Sequence, residues 1–220
     1  VAYADGVLAV AFNAWQHNDS GRVLFLDVRG RAIGASVFVG VRPDTMAFTQ
    51  DGETLVVVNA GGGEPGDDPE GSISLVSVAR EADGRVRTGV RQVGFRAFDG
   101  KAEALRAQGV RLFMPGSSVA HDLEPESLAI APDGRTAYVS FVINNAIATV
   151  DLEAARVTAI HGLGTRDLNV PGQGIDASDR DGAINIRPWP VHAYYGPDGI
   201  GVYPAGGELF VVTANEGDPR

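Results

Sequence analysis

Carboxylate side chains in one loop of the sequence have a spacing that suits a metal ion. Asp176, Asp179 and Asp181 lie within six residues, and the steps between them allow their carboxylates to converge on one centre. Hard cations such as Ca²⁺ and Mg²⁺ prefer oxygen ligands of this kind. Asp also favours turns, in which it accepts hydrogen bonds from nearby backbone N–H groups. The loop is therefore predicted to be either a calcium site or a solvated turn.

A second candidate metal cluster follows the last apolar run of the chain. It combines the amide oxygen of Asn215 with the carboxylates of Glu216 and Asp218, a donor set that also suits Ca²⁺. The guanidinium of Arg220 is a candidate partner for a phosphate or an acid. The alternative of an ordinary turn stays open, because Asn, Gly, Asp and Pro all favour turns. Calcium is the cofactor that the two clusters suggest.

Acids also recur at one position of an internal repeat. Asp44, Glu126 and Asp198 each follow a proline at the start of a predicted strand, and Glu124 stands close to the second of them. If that strand is the innermost one of each repeat, and the repeats are arranged around a central channel, the acids would ring one end of that channel. Such a ring would hold a cation or attract a cationic ligand. The alternative is that the repeated position reports architecture alone.

The repeat that carries these acids is a strand–turn–strand unit. A proline and an acid begin an alternating apolar run, an Asp-Gly or Gly-Gly turn follows, and a second strand comes next. The copies are further apart than the roughly 40–50 residues of one propeller blade, so each must contain an insertion. We predict blades at about 1–40, 42–93, 122–163 and 196–220, with insertions at 94–121 and 164–195. A short helix is predicted near 101–108.

These elements predict an all-β fold, a β-propeller with about three blades and the start of a fourth. Propellers usually close with four to eight blades, so residues 1–220 are expected to form a partial domain, truncated from a larger ring. The missing blades of the same propeller are then the nearest partners of this chain. A β-sandwich is the structural alternative.

Composition excludes several functional classes. The formal net charge of −10 repels phosphate backbones, so no nucleic-acid partner is expected. The absence of Cys removes disulfides and thiolate chemistry. No apolar run approaches the roughly 20 residues that span a bilayer, so no transmembrane segment is predicted.

Catalytic motifs are also missing from the sequence. The four histidines form no His-x-x-x-His or His-Glu-x-x-His pair, and no Gly-x-Ser-x-Gly elbow surrounds a serine. The sequence therefore favours a binding protein over an enzyme, and it identifies no catalytic residue.

Several stretches of the chain resemble the choice-of-anchor I domain, a family that includes mesenchyme-specific cell surface glycoproteins. The resembling stretches are Gly109-Val110-Arg111-Leu112-Phe113, Asp122-Leu123-Glu124-Pro125-Glu126, Asn144-Asn145-Ala146-Ile147-Ala148, Gly174-Ile175-Asp176-Ala177-Ser178-Asp179-Arg180-Asp181, Pro197-Asp198-Gly199-Ile200 and Thr213-Ala214-Asn215-Glu216-Gly217-Asp218. The family is similar to YVTN-type and phytase-like propellers.

The resemblance implies a secreted or cell-surface location for the chain. It favours a binding or scaffold module, with Ca²⁺ as a candidate ion and a surface protein, glycan or matrix component as the partner. The alternative that the resemblance implies is a metal-dependent phosphoesterase activity, of phytase or alkaline phosphatase type, in the full-length protein.

Overall fold

Antiparallel β-sheets dominate the computed structural model, which describes residues 1–62 and 68–216. Helices are few and short, as an all-β fold class requires. No helix in these described ranges is long and apolar enough to cross a membrane. The predicted all-β class is confirmed.

Three four-stranded sheets each follow the order of the chain, so every strand pairs with the strands before and after it in the same sheet. Sheet I contains β1 (Ala2–Ala4), β2 (Val7–Phe12), β3 (Ser20–Asp27) and β4 (Val37–Val41). Sheet II contains β5 (Pro43–Phe48), β6 (Thr54–Asn59), β7 (Ser72–Arg80) and β8 (Val86–Val93). Sheet III contains β9 (Ser127–Ile130), β10 (Thr136–Phe141), β11 (Ala146–Asp151) and β12 (Arg156–Gly162).

Two hairpins follow sheet III. The first pairs β13 (Thr165–Asp167) with β14 (His192–Tyr194), and the second, the C-terminal hairpin, pairs β15 (Pro197–Ala205) with β16 (Glu208–Asn215). The short strands β13 and β14 were not predicted, because three residues give too little alternation to be recognised.

The segment between sheets II and III holds the helices. A 3₁₀ helix (Arg96–Lys101) runs directly into α1 (Ala102–Ala107), where the sequence predicts a helix near 101–108. The four-residue helix α2 (Val119–Asp122) was not predicted from the sequence. Ser118 caps it, since the Ser118 hydroxyl accepts a hydrogen bond from the backbone N–H of His121.

The Asp-Gly dipeptides of the repeat form the tight turns between first and second strands. Gly52 and Gly134 have φ angles of +72° and +66°, which glycine adopts at little cost. The preceding acids brace each turn. Asp51 accepts hydrogen bonds from the Thr49 hydroxyl and the Glu53 N–H, and Asp133 accepts from two backbone N–H groups beyond the turn.

The first strands of successive sheets lie side by side. β1 contacts β5, β5 contacts β9, and β9 contacts β15. The first strand of each sheet therefore lies towards the inside of the assembly, which is the condition that the hypothesis of an acid-lined channel sets for the strands carrying the repeated acids.

The core lies between neighbouring sheets. One cluster joins sheets I and II, and the other joins sheets II and III together with the helical segment. Strand β6 belongs to both clusters, because its alternate side chains point to opposite faces of sheet II. Phe95 and Phe141 pack edge to face in the second cluster, with ring centroids 5.5 Å apart.

Candidate functional site

The acids of the repeat come together where the inner strands meet. Asp44 lies on β5, Glu126 directly precedes β9, and Asp198 lies on β15. The charges of Asp44 and Asp198 both act on Glu126, as do those of Glu124 and Glu216. We name these five residues the acidic cluster: Asp44, Glu124, Glu126, Asp198 and Glu216.

Two members of the acidic cluster occupy equivalent irregularities in their strands. The register between β5 and β6 shifts between Pro43 and Met46, and the register between β15 and β16 shifts between Pro197 and Ile200. Asp44 and Asp198 fall inside these shifts. Bulges of this kind redirect side chains and are frequent beside functional sites, so the repeat places both carboxylates by the same backbone device.

Ser140 connects Glu126 to Asp198 through the backbone. Its carbonyl oxygen accepts the N–H of Glu126 at 3.0 Å, and its hydroxyl donates to the carbonyl oxygen of Asp198 at 2.7 Å. Ser140 is fully buried on β10. A single buried residue therefore connects the backbones that carry two of the carboxylates.

Burial and nearby like charges together raise the pKa of two members of the acidic cluster. Desolvation raises the pKa of Glu126 to about 7, and the charges of Asp44, Asp198, Glu124 and Glu216 add to the effect. Desolvation and the charge of Asp198 also raise the pKa of Asp44, while the nearby Arg42 lowers it. The fold thus holds these carboxylates close together against their mutual repulsion.

Arg42 partly compensates the negative charge of the acidic cluster. Its φ angle of +54° is unusual for a residue other than glycine. The guanidinium donates to the carbonyl oxygens of Gly61 at 3.0 Å and Gly62 at 3.3 Å. A β-carbon at Gly62 would lie 2.8 Å from the Glu124 carboxylate. Gly62 also has a φ angle of +66°, which explains why the loop after β6 needs glycine there.

A buried polar network supports Glu124 from behind. Asp122, which is 2% exposed, accepts hydrogen bonds from the N–H groups of Phe113 and Met114 and from the Asn144 amide. The oxygen of that amide accepts the N–H of Glu124 at 3.0 Å. Desolvation raises the pKa of Asp122, although the hydrogen bonds from Met114 and Phe113 lower it. The network fixes the backbone that carries Glu124.

Asn145 performs the corresponding task for the C-terminal hairpin. It is fully buried and has a φ angle of +52°. Its amide donates to the carbonyl oxygen of Gly164 at 2.7 Å, and its oxygen accepts the N–H of Tyr195 at 2.9 Å. The chain is thereby anchored just before β15 and Asp198. Sequence reasoning noticed the Asn144-Asn145 pair only as part of a resemblance and assigned it no role.

The loop with Asp176, Asp179 and Asp181 is exposed and uses its acids in turns. Asp176 accepts hydrogen bonds from the backbone N–H groups of Ser178 and Asn185. Asp181 accepts from the N–H of Ala183, and Asp179 lies 3.7 Å from the guanidinium nitrogen of Arg180. These contacts follow the turn alternative, and the calcium role of the loop stays a prediction.

The second predicted metal cluster is only partly described. Asn215 accepts a hydrogen bond from the Thr213 hydroxyl, and the backbone of Glu216 bonds to Gly196. Asp218 and Arg220 lie outside the described residues. Within 1–62 and 68–216, no group of three or more His, Asp or Glu side chains is arranged to hold a metal ion. The calcium role of this cluster therefore stays a prediction.

A serine, a histidine and an acid also lie together on the surface near α2. The Ser118 hydroxyl is 2.8 Å from Nδ1 of His121, and the Glu70 carboxylate is 3.7 Å from the same nitrogen. A proton relay requires the serine and the acid on opposite ring nitrogens. This group therefore does not have the geometry of a catalytic triad.

Solved structures that superpose on part of this chain include larger proteins. Hydrazine synthase of Kuenenia stuttgartiensis superposes with a TM-score of 0.51 at 11% identity, over 95% of this chain and 56% of that one. Dihydro-heme d1 dehydrogenase NirN gives a TM-score of 0.41 at 16% identity, over 74% of this chain and 27% of that one. The periplasmic gluconolactonase PpgL of Pseudomonas aeruginosa gives 0.36 at 18% identity, over 74% and 56%.

The similarity to hydrazine synthase supports the fold alone, which is β-propeller-like. The chain spans little more than half the length of that protein. No curated protein sequence matches the chain significantly. The sequence profile of the Choice-of-anchor I domain, by contrast, matches residues 1–220. The resemblance predicted from the motifs is confirmed, and the chain belongs to the choice-of-anchor I domain family.

Proposed function

We propose that this chain is part of a secreted or cell-surface β-propeller binding module that holds a cationic group of a partner at its acidic cluster. The observation that carries the proposal is the convergence of Asp44, Glu126 and Asp198 from three inner strands. A cation that enters between neighbouring carboxylates relieves their mutual repulsion and lowers their electrostatic free energy.

The ligand is an ammonium or guanidinium group of a surface or matrix protein. The described acids are not arranged around a metal ion, whereas a larger organic cation can contact carboxylates that stand further apart. Arg42 supports an organic cation as the ligand, because its own guanidinium lies next to the acidic cluster and lowers the pKa of Asp44. The extracellular location rests on the family, whose name refers to surface anchoring.

A further blade of the same propeller is expected beside sheet I. The face of sheet I opposite its core carries Leu8, Val10, Leu24 and Leu26, which are only partly buried. Phe38 is 58% exposed on β4. Apolar sheet faces of this size are normally covered in soluble proteins, and a neighbouring blade would bury them as sheet II buries the other face.

Phosphoesterase activity in the full-length protein stays a prediction. Phosphate binding would require cationic side chains, and Arg42 uses its guanidinium for two backbone carbonyls. Turnover of a phosphomonoester panel by the full-length protein in Ca²⁺, Mg²⁺ or Zn²⁺ would test it directly.

Calorimetric titration with a tetralysine peptide at pH 8 tests the proposal. We expect the double variant Glu126→Gln/Asp198→Asn to bind at least tenfold more weakly, and the difference to shrink at high salt. The matched control is Glu103→Gln/Glu153→Gln, which removes the same charge from exposed positions outside the acidic cluster. Equal losses in both double variants would mean that the peptide responds only to net charge, and the proposal would fail.

A further inference from the structure

A groove between α1 and β12 lies apart from the acidic cluster. It has a volume of about 640 Å³ and is lined by Phe98, Lys101, Leu105, Gln108, Ile160 and His161, among others. This volume falls within the range typical of small-molecule sites. We refer to it as the α1–β12 groove.

The charge of the α1–β12 groove is opposite to that of the protein as a whole. The chain has 28 acidic and 18 basic residues, yet no Asp or Glu is among the described residues that line the groove. Lys101 is the one lysine of the sequence, and it stands in this lining. In a protein with a net charge of −10, a cavity whose lining carries only basic charge selects for anions.

Three large apolar side chains line the groove and are mostly buried. Phe98, Leu105 and Ile160 are each at most 6% exposed. The Lys101 ammonium lies 4.7 Å from the centre of the Phe98 ring, so a cation lies over the face of an aromatic side chain. The amide of Gln108 and the imidazole of His161 add hydrogen-bonding groups to the lining.

The end of α1 and the end of β12 approach each other backbone to backbone beside the groove. Gly162 at the end of β12 lies against the backbone at the end of α1, where a β-carbon would collide with the carbonyl oxygen of Gln108. Gly109 lies equally close to Gly164, since a β-carbon there would be 2.8 Å from the Gly164 nitrogen. These close approaches require glycine at both positions beside the groove.

We propose that the α1–β12 groove binds a small amphipathic monocarboxylate, with its carboxylate at Lys101 and its apolar body on Phe98, Leu105 and Ile160. The proposal is independent of the acidic cluster and of the cationic partner assigned to it. An anion with a flat apolar tail satisfies both parts of the lining, whereas a polar anion or a neutral apolar molecule satisfies only one.

Binding of 1-naphthylacetate to the wild-type chain, measured by calorimetry, tests this assignment against its neutral isostere 1-naphthylacetamide. We expect the acid to bind at least tenfold more tightly than the amide. Lys101→Gln should remove this preference and leave amide binding unchanged. Arg106→Gln serves as the matched control, because it removes one positive charge from α1 outside the lining.

A second variant tests the position of the apolar body. Ala104→Phe places a ring in the groove from an exposed position of α1, and it should abolish binding of both compounds while the protein keeps its wild-type circular dichroism spectrum. Equal affinity for acid and amide, an unchanged preference in Lys101→Gln, or no detectable binding of the acid would each overturn the proposal.

Discussion

Two strands of this protein have nearly the same sequence pattern and opposite environments. Strand β6 contains Leu55 to Val58, four apolar residues in succession, and all four are completely buried. Strand β16 contains Leu209 to Val212, again four apolar residues, and these are 37–53% exposed. The strand signal is the same in both, so the difference must come from what surrounds each strand.

The neighbours of the two strands explain the difference. β6 pairs with β5 and β7, and its alternate side chains enter the core clusters on both faces of sheet II. β16 pairs with β15 in a two-stranded sheet. A continuous apolar run is typical of a strand covered on both faces. The apolar run in β16 is therefore typical of a buried strand, although the described residues leave it exposed.

Truncation of one leucine in each strand should give the largest difference in the free energy of unfolding between the two environments. Leu55→Ala leaves a cavity in a packed core and should lower the free energy of unfolding by about 3–4 kcal/mol. Leu209→Ala removes a side chain that is 42% exposed and should cost less than about 1 kcal/mol. Urea unfolding of both variants provides the measurement. Similar losses would show that β16 is as well packed in solution as β6.

A pair of asparagines extends the comparison to polar groups. Asn144→Ala removes the partner of buried Asp122 and of the Glu124 N–H, and should cost about 2–3 kcal/mol because buried polar groups lose their hydrogen bonds. Asn215→Ala, at the exposed end of β16, should cost less than about 0.5 kcal/mol. Thermal unfolding of the two variants measures both losses of stability. A cost at Asn144 as small as that at Asn215 would contradict the supporting role of the network.

The acidic cluster should make stability depend on pH. Because the folded pKa of Glu126 is raised from 4.5 to about 7, the folded state binds its proton more tightly than the unfolded state. This contribution is fully present below pH 4.5 and is lost as the pH rises through about 7. Glu126→Gln should therefore be more stable than wild type at pH 8, by about 1–2 kcal/mol after allowance for solvent screening.

Denaturant unfolding at pH 5 and pH 8 checks this expectation, with Glu153→Gln as the control. Glu153 is exposed and its replacement should leave the pH profile unchanged. A profile of Glu126→Gln that runs parallel to wild type between these pH values would mean that the carboxylates do not interact as described.

The smallest effect is expected in the exposed loop of Asp176. Asp176→Asn keeps an acceptor for the backbone N–H groups of Ser178 and Asn185, so stability should change by less than about 0.5 kcal/mol. The same thermal unfolding in EDTA and in excess Ca²⁺ tests the calcium prediction. If Ca²⁺ raises the melting temperature of the wild type and does not raise that of Asp176→Asn, Asp176 is a calcium ligand.

Local signals predicted much of the architecture and little of the site. The Asp-Gly turns and the alternation of apolar residues predicted the antiparallel strands around Gly52 and Gly134, because these features act within a few residues. The roles of Asn144, Asn145 and Ser140 could not be predicted, since each connects segments that are distant in sequence. Their partners include Asp122, Gly164 and Asp198.

By itself, the sequence determined the all-β class, the family and the repeated proline–acid position at the start of the inner strands. Each of these follows from residue types and short spacings. Only the tertiary structure decided that Asp44, Glu126 and Asp198 meet and that Leu55 is buried while Leu209 is not. The physical reason is that burial and charge–charge interaction depend on distances between sheets, which a single strand's pattern does not contain.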